Sequence, residues 1–182
     1  MIFREVGLQG AFVIEPVRSE DERGFFARTW CQREFAAHGL NEHFAQCSVS
    51  FNKKRGTLRG MHYQVAPYEE AKLVQCPRGA IYDVIVDLRP ASATFMRWVA
   101  TELTDVNRLM LYVPEGFAHG FQTLEDGTEV YYQISEFYVP ESGRGFRWND
   151  PAFEIQWPSA ERIISDRDNS YPDFGKVKSS IA

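Results

Sequence analysis

Ala80-Ile81-Tyr82-Asp83-Val84-Ile85-Val86-Asp87-Leu88 is the stretch on which the fold turns. It is short, rich in β-branched residues and bounded by Gly79 and Pro90, which reads as a strand rather than a helix. Its even positions hold Tyr82, Val84, Val86 and Leu88, while its odd positions include Asp83 and Asp87. That alternation predicts a more buried even face. Working outward, similar runs recur on both sides. Upstream are residues 11–16, ended by Pro16, then 24–30 after a charged turn at 20–23. Next come 45–51, then 57–64 after the basic turn Lys53-Lys54-Arg55-Gly56, and 71–77. Downstream are 97–103, 108–113, 120–124 and 130–138. Residues 32–38 form the best short helix, closed by Gly39. Short strands at roughly 8–12-residue spacing with Gly and Pro punctuation predict an all-β sandwich or jelly roll with a few short helices. No linker, repeat or low-complexity segment interrupts residues 1–182, so one domain is expected. Periodicity fades from Tyr171, and residues 176–182 are expected to be a loose tail.

Composition narrows the function. The chain has 182 residues, 44% hydrophobic and 25% charged, as an ordinary globular protein does. Aromatics make up 14%, which suits strands and supplies stacking surfaces for planar ligands. A net charge of −5 argues against general binding to nucleic acid or anionic membranes. Any phosphate must therefore meet a local cluster of Arg and Lys. Cys31, Cys47 and Cys76 lack metal-ligand spacing, and their odd, low number argues against a disulfide framework. With no signal-peptide pattern and no long apolar run, the expected location is cytoplasmic and no membrane span is expected.

Four histidines are the natural candidates for chemistry. His38 ends the expected helix and His43 lies in a polar loop, so both read as structural or surface residues. His62 lies in Arg59-Gly60-Met61-His62-Tyr63-Gln64, where Gly60 allows a ligand or another backbone to approach closely. His119 lies in Pro114-Glu115-Gly116-Phe117-Ala118-His119-Gly120-Phe121, and this Pro-x-Gly-x-x-His pattern is similar to the second motif of the cupin jelly rolls. A metal-binding cupin usually offers a second His two residues after the first, where Gln64 stands here. A metal site from His62, Glu69 or Glu70, and His119 stays open as an alternative, that of a metal-dependent isomerase or dioxygenase.

Several runs taken together carry a closer resemblance. They are Asp21-Glu22-Arg23-Gly24-Phe25-Phe26, Gly56-Thr57-Leu58-Arg59-Gly60-Met61-His62-Tyr63-Gln64, Ala71-Lys72-Leu73-Val74 and Arg78-Gly79-Ala80-Ile81-Tyr82-Asp83-Val84. Residues 114–121, Trp148-Asn149-Asp150-Pro151 and Ile164-Ser165-Asp166-Arg167-Asp168 complete the set. In this order the chain resembles the dTDP-4-dehydrorhamnose 3,5-epimerase family over about residues 10–174. The resemblance implies a cupin-like double-stranded β-helix, a homodimer, no cofactor and no metal. The implied substrate is a nucleotide-linked 4-keto-6-deoxyhexose inverted at C3, C5 or both. His62 matches the family's base and Asp168 the carboxylate that orients it. Lys72 matches the cation near the enolate, and Tyr132 the acid on the opposite ring face. Arg23 and Arg59 match diphosphate ligands, and Tyr138 the aromatic that stacks on thymine. Phe26, Gln46, His119 and Arg167 match other nucleotide- or substrate-binding positions.

The chain departs from the family where nucleotide or partner subunit is contacted. Arg28, Cys47-Ser48, Gly143 and Arg167 stand where Glu, Asp-Asn, Glu and Lys are usual. The proton-transfer set is unaltered. A sugar-binding jelly roll without turnover is the remaining, non-enzymatic alternative.

Overall fold

A computed structural model describes residues 1–175, so the expected loose tail at 176–182 lies outside the described residues. Two antiparallel sheets face each other. One has six strands: β1 (Ile2–Glu5), β2 (Phe12–Glu15), β5 (Gln46–Asn52), β7 (Lys72–Arg78), β10 (Met110–Val113) and β12 (Thr128–Ile134), in the order β1-β2-β10-β7-β12-β5. The other has β6 (Leu58–Gln64), β8 (Ala80–Asp87), β9 (Trp98–Thr104), β11 (Phe117–Thr123) and β13 (Gly143–Gly145), in the order β13-β6-β11-β8-β9. A separate hairpin pairs β3 (Arg18–Asp21) with β4 (Gly24–Ala27). The helices are α1 (Gln32–Ala37) and α2 (Asp166–Asn169). This is the all-β sandwich that the strand pattern predicts, with the cupin-like form that the resemblance implies. Among the described residues no helix is long and apolar enough to cross a membrane.

Along the inward strand faces, a dry end gives way to a polar end. Ile81, Ile85, Leu103 and Phe121 from one sheet meet Val74, Leu111, Val113 and Val130 from the other. Each such side chain, fully buried, contributes roughly 1.5–3 kcal/mol. The same faces carry polar groups towards the other end: Lys72 on the Val74 face of β7, Tyr132 on the Val130 face of β12, and His62 and His119 on β6 and β11.

The β8 pattern suggests one buried face, yet the structure buries both. Asp83 and Asp87 are fully buried, and Ile81 and Ile85 beside them face the opposite sheet. Val84 and Val86 are covered by Phe146, Phe153, Ile155 and Phe174 from the C-terminal segment. A strand packed on both sides loses the contrast between its faces. Asp87 is satisfied by Arg89, Ser92 and Thr94. Burial pushes its carboxyl up, but those partners outweigh burial and hold it at about 2.

Other expectations shift at their edges. The charged turn at 20–23 is partly strand, since β3 runs to Asp21, and its partner strand ends at Ala27 rather than residue 30. β12 ends at Ile134, leaving Tyr138 in the connection to β13. Helix α1 forms as expected, with Gly39 at φ +69 just past its cap. β1, β13 and α2 lack a clear sequence signal: two are short edge strands, and α2 is a single turn capped by Ser165 on the Asp168 N–H.

Candidate active site

The polar end of the sandwich opens into a cavity of about 530 Å³. Gln46, Arg59, His62, Lys72, His119, Tyr132, Tyr138 and Arg167 all line it. Asp168 stands directly behind His62. Arg23 and Phe26 are elsewhere, on the β3–β4 hairpin. Arg23 pairs with Asp21 at 2.6 Å, and Phe26 is 77% exposed.

His62 is placed by two glycines. On β6, Gly60 has φ +129, and a Cβ there would lie 2.5 Å from the Gly120 Cα of β11. That close approach sets His62 opposite His119 in the ladder, just before a register shift. Asp168 then accepts from His62 Nε2 at 2.8 Å and from the Gly60 N–H at 3.1 Å. Burial pushes the Asp168 carboxyl up, but His62, the Gly60 N–H and Arg167 outweigh it, so the net direction is down. An ionised Asp168 holding Nε2–H leaves the lone pair of the ring on Nδ1, the arrangement a general base needs. The Tyr171 ring lies edge-on to His62 at 5.9 Å and packs against Gly145, where a Cβ would meet it at 2.5 Å.

A second dyad lies across the ladder. His119 Nε2 meets Asp83 Oδ1 at 2.6 Å, with both residues buried. The His119 ring stands edge-on to Tyr132 at 6.1 Å. Burial pushes the Tyr132 phenol well up, the Asp83 charge adds to this, and Arg59 partly offsets it. Such a phenol keeps its proton at neutral pH. On the opposite sheet from His62, Lys72 pairs with Glu70 at 2.8 Å. Arg59 donates from Nε to Asn52 at 2.9 Å, and Gln46 accepts from the Tyr138 N–H at 2.9 Å. Arg167 reaches the Tyr171 hydroxyl at 2.8 Å at the cavity mouth.

Sequence reasoning offers Glu70 only as a possible metal ligand and does not mark Asp83, Arg144 or Tyr171 as site residues. The signal for Asp83 was present: a carboxylate within an apolar strand must be partnered once both faces are covered. The metal alternative finds no support. Gln64 donates to the Tyr68 and Phe137 carbonyls, Glu70 is paired with Lys72 at 2.8 Å, and Glu69 borders a different cavity. Among the described residues no three His, Cys, Asp or Glu side chains gather as a metal group.

Comparisons with known proteins point to one family. The family model described as dTDP-4-dehydrorhamnose 3,5-epimerase matches residues 5–176. A protein of that name from Shigella flexneri is 43% identical over 157 residues, 86% of each chain. The crystal structure of dTDP-4-dehydrorhamnose 3,5-epimerase from Elizabethkingia anophelis superposes with a TM-score of 0.94 at 38% identity, covering 97% of both chains. That from Bacillus anthracis, with TDP and pyrophosphate bound, gives 0.92 at 40% identity, covering 95% of this chain and 99% of that one.

Proposed function

The chain belongs to the dTDP-4-dehydrorhamnose 3,5-epimerase family and is a sugar-nucleotide epimerase, and from that premise we propose how its residues divide the work. The substrate is a dTDP-linked 4-keto-6-deoxyhexose, inverted at C3, C5 or both. His62 Nδ1 removes the proton from the carbon beside the ketone, and Asp168 stabilises the imidazolium that forms. Lys72 stabilises the charge that develops on the ketone oxygen. Tyr132 returns a proton to the opposite face of the ring. His119, held by Asp83, lines the cavity between base and acid.

One observation carries this reading. His62 and Tyr132 come from opposite sheets and line the same cavity, so a sugar ring between them offers one face to each. Inversion requires that arrangement, because the proton leaves one face and another enters from the other. Arg59 and Arg167 suit the diphosphate. Tyr138, 53% exposed at the mouth, suits stacking on the base, with Gln46 beside it.

The exposed apolar surface supports a homodimer. β5 is an edge strand with Val49 63% exposed, and Phe26 of the hairpin is still more open. A second copy would also account for Arg23 and Phe26, which the resemblance puts at the nucleotide but which lie outside this chain's cavity. The same reading treats the chain as one epimerase jelly-roll domain. Three unpaired thiols fit a reducing cytoplasm.

The test is NMR of the product formed from dTDP-4-keto-6-deoxyglucose in heavy water. Deuterium at C3, C5 or both marks the carbons that are deprotonated, and the ring coupling constants of the product show which of them are inverted. Absence of deuterium at both positions, with folded protein, rejects the assignment.

A further inference from the structure

Among the described residues that line the cavity, Glu70 is the sole acidic one, against the cations Arg59, Lys72, Arg144 and Arg167. A carboxylate there opposes the binding of a diphosphate, so its presence needs a reason. Its side chain is 12% exposed and that of Lys72 is 10% exposed, and the two meet at 2.8 Å. The other carboxylate oxygen lies 3.2 Å from Gln64 Nε2, whose two N–H groups it shares with the Tyr68 and Phe137 carbonyls. Gln64 is itself immobilised. It is 4% exposed, donates to the Tyr68 and Phe137 carbonyls at 2.9 and 3.1 Å, and accepts from the Val139 N–H at 2.7 Å.

We propose that Glu70 is a positioning residue that holds the Lys72 ammonium towards the sugar ketone and restrains it from swinging to the diphosphate. Lysine is a point charge on a flexible four-carbon stem, and nothing in the stem selects one direction. A diphosphate in the same cavity would attract it more strongly than a neutral ketone does. Glu70 occupies one of the three N–H donors of Lys72, which fixes the cone of the other two. Gln64, anchored to backbone at residues 68, 137 and 139, places Glu70 through a shared N–H, so the aim of Lys72 leans on that anchorage. Glu70 also compensates a nearly buried cation that would otherwise be costly to keep.

The proposal rests on Lys72 acting at the ketone oxygen, and the experiment separates the two. The variants Glu70→Gln, Lys72→Met and the double variant are followed by deuterium wash-in from heavy water, together with binding of dTDP alone. Glu70→Gln should slow exchange by about ten- to a hundredfold, as small misplacements of reacting groups do. It should bind dTDP at least as tightly as the unaltered protein, because a repulsive charge has gone. In the Lys72→Met background it should add less than about twofold, since it acts through Lys72. Unchanged exchange in Glu70→Gln overturns the proposal. So does weaker dTDP binding with equal losses in both backgrounds, which marks a purely structural role. Full exchange in Lys72→Met rejects the Lys72 assignment itself, and the proposal with it.

Discussion

Asp168→Asn tests the dyad more sharply than removal of either member, because the replacement keeps shape and volume. Asp168 accepts from two donors, His62 Nε2 at 2.8 Å and the Gly60 N–H at 3.1 Å. An asparagine has one acceptor oxygen and one amino group for the same two places. With its oxygen on His62, the amino group faces the Gly60 N–H and leaves a buried donor unpaired. With its oxygen on Gly60, the amino group donates to Nε2, and the proton of the ring moves to Nδ1, the nitrogen that has to accept. Catalysis then requires the unfavourable arrangement. An orphaned donor costs about 1–3 kcal/mol, and losing a hydrogen bond to a charged group costs about 1.5–3 kcal/mol. A combined barrier increase of about 3–5 kcal/mol lowers kcat by roughly a hundredfold to several thousandfold. The assay is the initial rate of deuterium incorporation into the sugar nucleotide, with dTDP affinity as the control for an intact cavity. Affinity should stay within about threefold, since Asp168 lies behind His62, away from the nucleotide. A variant keeping more than about a tenth of the exchange rate would refute the reasoning, because the tautomer could then not be what Asp168 controls.

Four further outcomes are expected. Tyr132→Phe should still exchange the proton that His62 removes but lose inversion by a hundredfold or more, on the order of a general acid's contribution; NMR separates exchange from epimerised product. Gly60→Ala should destabilise by at least about 2–3 kcal/mol in urea unfolding, because a Cβ would lie 2.5 Å from the Gly120 Cα in a backbone region that costs non-glycine residues energy. Asp87, held at about 2 in the fold, contributes stability fully present above its unfolded value near 4 and lost as pH falls from about 4 to 2. Its contribution is on the order of 2 kcal/mol, so Asp87→Asn should flatten the acid-denaturation curve in that window. Prolonged chelator treatment should leave turnover unchanged; a loss restored by added metal would reinstate the metal-dependent reading.

Much of this protein can be read locally. The short β-rich runs gave the two-sheet sandwich, because side-chain alternation and turn residues are properties of neighbours in the chain. Helix α1 follows from an apolar pattern closed by Gly39. The run from Arg59 to Gln64 marked His62, with Gly60 announcing a close approach that Gly120 completes. Resemblance, rather than any local property, supplied Asp168: it is 106 positions from His62 and sits on a single helical turn without periodicity.

Tertiary structure alone decided the rest. Alternation says that β8 has two faces but not that both are covered: Asp83 reads as lying on the less buried face, whereas its face meets the opposite sheet and the C-terminal aromatic cluster closes over the other side. Lys72 and Glu70 are ordinary surface types in the sequence; what makes them a pair is their common burial at the cavity edge and the clamp of Gln64. Arg23 and Phe26 look like binding residues in the sequence, yet their hairpin carries them away from this chain's cavity. Sequence by itself determined which side chains share a strand face, since that depends on the 2.0-residue period of a strand. Which faces became interior, and which distant carboxylate met which base, depended on how the sheets and the C-terminal segment pack, because burial and pairing are set by groups far apart in the chain.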